Sequence, residues 1–421
     1  MNLWNKIKGA LRWGVQDDTT QTARVIVLGQ TTAGVSVNPD NALMVSAVWA
    51  CVTYLSRTVA QLPWRVMQEM GEQAPRRAYT HPVQYLLQTR ANRETSAFVF
   101  RETIVGWACR RGNGVAEIER DNRGVPTGLF LIHPDRVTFG RDADTGELLY
   151  TISATDGTQR TLGADNVFHV RGFGEGAVGL DVMSYAAESI GWARATELFG
   201  AAFFGNGANP SGFIKFPGKL SPGAKSVLDA ELSSKHGGPK KANRTMVLDG
   251  GMDYVKSGVE PDSAQFIETR QHQVEEICRW FGVPPHKIMH MLRSTFSNIE
   301  HQSIEVVVDS ITPWAMRIEQ EADYKLFRRR SGFFTKMDLK GLLRGDFKSR
   351  QEGLQIMRRN GVVSANEWRR LEDMNEIGAE GDKYAIEANM TTLAQLGEQP
   401  PEAQDPAPLL ALAREQLARV H

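Results

Sequence analysis

The sequence has no excess of either charge and no long apolar run. It carries 49 basic and 49 acidic side chains in 421 residues, so its formal net charge is zero. A protein dedicated to wrapping DNA is usually strongly basic, so any contact with nucleic acid is expected to be local or transient. No apolar run reaches the roughly 18 residues of a membrane span, and the N-terminus lacks the apolar core of a signal peptide. These absences predict synthesis in a cytoplasm.

Cysteine is scarce, and the familiar catalytic signatures are missing. The three cysteines are scattered through apolar or helical contexts, which predicts buried free thiols from a reducing compartment: Cys51, Cys109 and Cys278. His286 and His290 are four residues apart, but zinc sites need three or four convergent ligands. Lys287 stands where a metalloprotease helix has glutamate, and there is no G-x-S-x-G and no Walker lysine. The sequence therefore predicts no metal, no cofactor and no enzyme activity.

One glycine motif leaves an enzymatic alternative open. Gly174–Gly179 reads G-x-G-x-x-G after an apparent strand and before a helix, the pattern of a dinucleotide site, and Glu197 follows at a compatible distance. Against this interpretation, Glu175 would place a carboxylate where the pyrophosphate sits, and the upstream chain reads as a meander. A flexible elbow is the competing interpretation.

What is present is organised around the stretch from Asp262 to Arg330. Apolar residues recur at helical spacing as far as Phe281, and Gly282-Val283-Pro284-Pro285 ends that helix because proline cannot continue it. A polar stretch, His286–Ser297, precedes a second helical run from about Asn298 to Phe327 that Pro313 interrupts. The pattern predicts two long helices joined by a polar loop with a proline-fixed direction.

The remaining periodicities predict helices packed on an antiparallel sheet, an α+β fold. Val115–Glu119 and Gly128–Ile132 flank the turn Asp121–Gly124, which indicates a hairpin. Further strands are predicted at 149–152 and 167–170, around the turn at 156–157. Helices are predicted at 44–66 (ending near Pro63), 81–87, 96–109, 180–205, 338–360 and 364–374, the last of which begins with the capping box Ser364–Glu367. Within residues 213–258, a short helix is predicted from Ser221-Pro222 and strands are predicted at 213–216, 245–248 and 252–256.

The functions of three further regions of the sequence stay open. Residues 3–13 form a basic amphipathic segment that suits either a membrane surface or a protein surface. The helices at 338–360 and 364–374 suit a helix-turn-helix DNA reader, although Trp368, Leu371 and Met374 fit packing better. Leu409–Val420 predicts an amphipathic tail helix whose partner the sequence does not name.

Several ordered segments resemble the portal proteins of tailed bacteriophages of the HK97 type. They are Gln265–Arg270, Glu276–Pro285, Asn298–Gln302, Ile311–Trp314 and His133–Val137. The chain departs from the family pattern at Ala91-Asn92, where Pro-Asn is common, and at Asp181, where a Ser-Pro pair is common. These departures bear only on local turns.

The resemblance implies a portal fold with an α/β wing, long stem helices, a small α/β clip, a kinked tunnel helix and a helical C-terminal region. The implied division of the chain is an arm at 1–40, a wing at 41–176, a first stem helix at 177–212, a clip at 213–258, a second stem helix at 259–285, a tunnel loop at 286–298, a kinked tunnel helix at 299–328, wing and crown helices at 329–388 and a tail at 389–421.

The implied function is a ring, dodecameric by family resemblance, that forms a double-stranded DNA channel at one capsid vertex for packaging and ejection. The implied partners are further copies of the chain, the terminase large subunit, a head-tail adaptor, and the major capsid and scaffold proteins. The implied location is the virion, after assembly in the host cytoplasm. The competing functions are a nucleotide-binding enzyme using Gly174–Gly179 and a peripheral membrane protein using residues 3–13.

The resemblance also assigns roles to residues. Arg293, Ser294 and Thr295 would face DNA from the tunnel loop, where charge and hydrogen bonds contact phosphates without reading sequence. The basic surface of the clip would comprise Lys215, Lys219, Lys225, Lys235, Lys240, Lys241 and Arg244. The residues that shape the stem and tunnel helices would be Gly282, Pro284, Pro285 and Pro313.

Overall fold

The computed structural model describes residues 31–154, 156–205, 212–219, 221–236, 251–256, 263–290, 304–328, 331–342, 347–372 and 374–386. Two compact units make up the chain, Met1–Leu343 and Arg344–His421.

The first unit begins with helices that the sequence predicts well. They are α1 (Ser46–Ala60), α2 (Pro82–Gln88) and α3 (Ala97–Arg111). The Ser96 hydroxyl caps α3 by accepting from the Val99 amide. The helix predicted at 44–66 was too long, because α1 ends at Ala60 and Trp64 begins a strand. Trp64 and Val66 alternate into the core there, which is the period of a sheet.

Antiparallel sheets follow. Their strands are β1 (Trp64–Met70), β2 (Gln73–Arg77), β3 (Asn113–Arg120), β4 (Pro126–Ile132), β5 (Val137–Arg141), β6 (Leu148–Ser153), β7 (Gln159–Gly163), β8 (Val167–Arg171) and, from far along the chain, β13 (Phe333–Met337). Each strand pairs with its neighbours in the order β4-β3-β8, β5-β6-β7 and β13-β1-β2. The predicted hairpin at Asp121–Gly124 is confirmed as β3 and β4.

A buried polar network joins these sheets. The His169 Nε2–H donates to Asn113 Oδ1 at 3.0 Å, and the Tyr150 hydroxyl donates to His169 Nδ1 at 3.0 Å. The same Asn113 oxygen accepts from the Gly179 amide at 2.9 Å, and its Nδ2 donates to the Gly179 and Arg111 carbonyls. Glu321 accepts from the His169 amide. One asparagine therefore connects β3, β8 and the glycine motif.

The glycine motif is a small hairpin rather than a flexible elbow. Gly174–Glu175 (β9) pairs with Val178–Gly179 (β10). Gly179 packs so closely on the chain that an added Cβ would lie 1.9 Å from the Gly112 carbonyl oxygen. The glycines here serve backbone packing, and the amides that a phosphate would need include one already bonded to Asn113.

The rest of the first unit contains long helices and a small strand pair. The helix predicted at 180–205 is broken at Ala186, into α4 (Val182–Tyr185) capped by Asp181 and α5 (Ala187–Gly205). The strands predicted at 213–216 and 252–256 and the helix predicted at Pro222 are confirmed, whereas the one predicted near 245–248 lies outside the described residues. The further elements are β11 (Gly212–Lys215), α6 (Pro222–His236), β12 (Asp253–Lys256), α7 (Ser263–Phe281) and α8 (Thr312–Leu326).

The second unit holds α9 (Phe347–Arg359) and α10 (Ala365–Leu371). The helix predicted at 338–360 was too long, because Leu339–Gly341 is a short 3-10 turn and α9 begins at Phe347. The predicted capping box at Ser364 is confirmed, with Glu367 returning a hydrogen bond to the Ser364 amide.

Replacing Asn113 tests the buried network. Asn113→Ala leaves buried groups of His169 and Gly179 without partners, so we expect a loss of about 3 kcal/mol in the free energy of unfolding. Asn122→Ala, in an exposed turn, is the control. Chemical denaturation of both variants measures the difference, and a loss of less than about 1 kcal/mol for Asn113→Ala would contradict the network's role.

The burial of His169 makes the free energy of unfolding depend on pH. Burial, with smaller contributions from Arg171 and Lys325, lowers its pKa from 6.5 to about 3. The unfolded chain therefore binds a proton that the folded chain does not, and stability present above pH 6.5 is lost as pH falls towards 3. The loss is about 1.4 kcal/mol per pH unit. His169→Gln should remove this part of the slope in denaturation measured from pH 7 to pH 4, and an unchanged slope would show that His169 titrates normally.

Candidate functional site

Helices α5 and α7 run antiparallel and are tied together by side chains along their length. The Trp280 Nε1–H donates to the Ser189 hydroxyl at 3.2 Å, and the Gln273 amide donates to the Thr196 hydroxyl at 2.8 Å. Further along, the ring of Phe199 lies 6.3 Å from that of Phe266. The residue numbers rise on one helix as they fall on the other, so the pair forms one two-helix rod.

The end of α7 is anchored in the core and turned by a fixed set of residues. The Val283 amide donates to the Cys278 carbonyl at 3.0 Å, and Gly282 adopts φ +61°, which is a Schellman cap. Pro284 directs the chain into a 3-10 turn at Pro285–Ile288, and Met289 closes that turn with φ +64°. Gly282, Pro284 and Pro285 therefore lie at the bend that follows α7, and their role in the stem and tunnel helices stays a prediction.

The chain returns through a helix that contains one wide turn. Val307–Ile311 is π-helical, and α8 starts at Thr312 with Pro313 in its first turn. Both the amide and the hydroxyl of Thr312 donate to the Val307 carbonyl. The regular α-helical pattern is therefore interrupted directly before Pro313. The wider turn accommodates the ring, which would otherwise clash with a carbonyl four residues back.

A hydrogen bond joins the outgoing and returning segments. The Ser310 hydroxyl donates to the Gly282 carbonyl at 2.5 Å. The two flanks of residues 291–303 are therefore held side by side.

Buried thiols and imidazoles lie close to this junction. The Cys51 thiol on α1 is hydrogen-bonded to Cys278, which together with burial raises the pKa of Cys51. All three cysteines are free and buried, as the sequence predicts. The pKa of His286 is lowered by burial and by Lys287. Within the described residues no three His, Cys, Asp or Glu side chains are grouped as metal ligands would be.

A cleft of about 450 Å³ opens between the two flanks. Its charged lining residues are Glu275, Arg279, Glu305 and Asp309. Carboxylates outnumber cations among them, so this cleft does not suit a phosphate group.

Lys215, Lys219 and Lys225 of the predicted clip are exposed. Lys215 lies on β11 opposite Asp253 of β12, Lys219 follows that strand, and Lys225 lies on α6. Lys235 is near the end of α6. Lys240, Lys241 and Arg244 lie outside the described residues, as do Arg293, Ser294 and Thr295.

Sequence reasoning missed Met289 and Ser310. Met289 is 87 % exposed and is the one described residue other than glycine with a positive φ. Neither methionine nor serine by itself predicts a left-handed turn or a long-range hydrogen bond. The bond from Ser310 reaches a residue that lies 28 positions earlier in the chain.

No helix in the described part of the chain combines the length and apolar character of a bilayer span.

The family model of the phage portal proteins matches residues 46–373. A probable portal protein of Streptomyces phage phiC31 is 32 % identical over 388 residues, which is 87 % of this chain and 82 % of that protein. The portal protein of Enterobacteria phage HK97 is 29 % identical over 375 residues, which is 86 % of each chain.

Solved structures share the fold. A chain from the neck of an empty gene transfer agent particle is 25 % identical with a TM-score of 0.55, and the match covers 84 % of this chain and 99 % of that one. An HK97 family phage portal protein from Corynebacterium diphtheriae is 17 % identical with a TM-score of 0.52, covering 75 % of this chain and 98 % of the other.

Replacing Gly282 tests the turn at the end of α7. Gly282→Ala forces a side chain into a left-handed conformation, so we expect a loss of about 1–2 kcal/mol in unfolding free energy. An added Cβ meets nothing within 4 Å at Gly282 or at Gly341, and only Gly282 has a positive φ. Gly341→Ala is therefore the matched control. Equal stabilities of the two variants in chemical denaturation would show that the turn is not constrained.

Proposed function

The chain belongs to the phage portal protein family, so its function is that of a portal, and we propose that copies of it form a ring whose central channel passes double-stranded DNA. The observation that carries the finer assignment is the hydrogen bond from Ser310 to Gly282. It fixes the two flanks of residues 291–303 side by side at the end of a two-helix rod. We propose that the tunnel loop, residues 286–298, starts from this junction.

We assign DNA contact to that loop. Arg293, Ser294 and Thr295 lie in its sequence. A moving duplex needs weak contacts that do not depend on sequence, and single cations repeated around a ring supply them without a basic chain. Carboxylates outnumber cations among the charged residues of the cleft between the two flanks, which favours Arg293 rather than the cleft as the phosphate contact.

Apolar side chains on the α5–α7 rod support ring formation. Trp192, Phe199, Ile267 and Trp280 are between 43 and 55 % exposed in the single chain. Large apolar side chains that a single chain leaves exposed are candidates for burial at a protein interface. The neck of a gene transfer agent particle has been computed with twelvefold symmetry, and a closed dodecamer is the assembly we propose here. A ring built this way buries the rods against their neighbours.

The clip and the partners follow from the same assignment. We propose that β11, α6 and β12 form the clip, which docks the terminase large subunit during packaging and the head-tail adaptor afterwards. Lys219 and Lys225 are exposed on it, and the remaining lysines of residues 213–258 add to its basic character. Major capsid and scaffold proteins would surround the ring at the capsid vertex of the virion. The portal is structural, and ATP hydrolysis belongs to the terminase motor.

Reversing the charge of Arg293 tests the DNA contact. Arg293→Glu should leave the ring intact, because the change lies in the loop, and should lower the yield of DNA-filled heads through repulsion of phosphates. Native mass spectrometry measures the ring, and nuclease-protected DNA measures packaging.

Arg76→Glu supplies the matched control, because it makes the same change of charge at an exposed position on the wing strand β2. Normal protected genome length in Arg293→Glu particles would remove the loop from the DNA path. A packaging defect equal in both variants would show that only the net charge matters.

A further inference from the structure

The second unit presents an apolar surface at the end of α9 that we call the α9 patch. It consists of Ile356, Met357, Val362 and Ile386, whose exposed fractions are 59, 36, 63 and 63 %. Single exposed apolar residues are ordinary, whereas a contiguous group marks a surface that binds something.

A helix cap brings these residues together. Gly361 has φ +70°, and the Val362 amide donates to the Met357 carbonyl at 2.9 Å, which is a Schellman motif. This motif commonly places the side chains of those two positions in contact. Ile386 arrives from the other side, where it bridges to Asn360, and an added Cβ on Gly361 would lie 2.7 Å from Ile386 Cγ2.

The chain itself supplies a segment of suitable chemistry. Ile386 belongs to the patch and is the last residue described, so the chain continues from the patch directly. Leu410, Ala413, Leu417 and Val420 follow at spacings of three and four, which predicts one apolar helical face, and Arg414, Glu415 and Arg419 occupy other positions. Roughly 22 intervening residues would have an end-to-end distance of about 25 Å as an unstructured chain.

We propose that residues 409–420 dock as an amphipathic helix on the α9 patch of the same chain. A helix of roughly 12 residues is marginal alone in water, so its folding would be coupled to docking. Tethering favours the chain's own segment over that of another copy, because a short linker gives an effective concentration in the millimolar range. The segment lies beyond residues 46–373, the part of the chain that the family model matches.

Oxidation of Met357 in the purified full-length chain tests coverage of the patch. Leu410→Ser with Leu417→Ser removes the apolar face, and Ala411→Ser with Ala418→Ser alters the opposite face as the matched control. If the docked state is about 90 % populated, peroxide should oxidise Met357 about tenfold faster in the first variant than in the control. Met374, 52 % exposed in the same unit, is the internal reference. Equal oxidation of Met357 in both variants would overturn the proposal.

A crosslink identifies the occupant. Val362→Cys with Ala413→Cys should give an intrachain product with a short bis-maleimide, whereas Val362→Cys with Ala411→Cys should give little. The native cysteines are buried and serve as a background measured in the unaltered chain. A product that joins two chains would show that another copy's segment binds the patch and would overturn the proposal in its stated form. No product from either pair would do the same.

Discussion

The hydrogen bond from the Ser310 hydroxyl to the Gly282 carbonyl sets the geometry on which the account depends. It joins a helix that leaves the core to a helix that returns to it. Both residues have unusual backbone conformations, because Gly282 has a positive φ and Ser310 lies within a π-helical turn. The bond alone contributes only about 1 kcal/mol. Its position matters more, because it fixes the spacing of the two flanks of residues 291–303.

The rigidity of that junction comes from the core behind it. Ile277, Cys278 and Val283 from the end of α7 are buried in the same cluster as Val306 and Ile311 from the returning helix. Cys51 on α1 contacts Cys278 in this cluster. The rod of α5 and α7 therefore has one end embedded in the first unit's core.

The sequence predicts local features well where a residue's own chemistry decides the structure. The caps at Ser96 and Ser364, the hairpin turn at Asp121–Gly124 and the stop at Gly282 all follow from short-range hydrogen bonding or backbone conformation. Pairing across the chain was not predictable in this way. Trp64 in β1 pairs with Met337 in β13, and no local pattern specifies a partner so far along the chain.

Two features of the candidate site show the same limit. The glycine motif at Gly174–Gly179 matches a nucleotide pattern locally, but contact with Gly112 and Asn113 makes it a packed hairpin. Pro313 signals an interruption, and the actual outcome is a wide turn that depends on Thr312 bonding to Val307. The assignment of DNA contact to particular residues rests on the family resemblance and on the geometry of the flanks of residues 291–303.

Electron cryomicroscopy of the assembled protein measures the central claim most directly, through the distance of chosen residues from the symmetry axis. We expect a closed ring in which Met289 and Ile304, described residues on either side of 291–303, lie nearer the axis than Arg76 on the wing strand β2. A ring with Arg76 nearer the axis, or particles that form no closed ring, would contradict it.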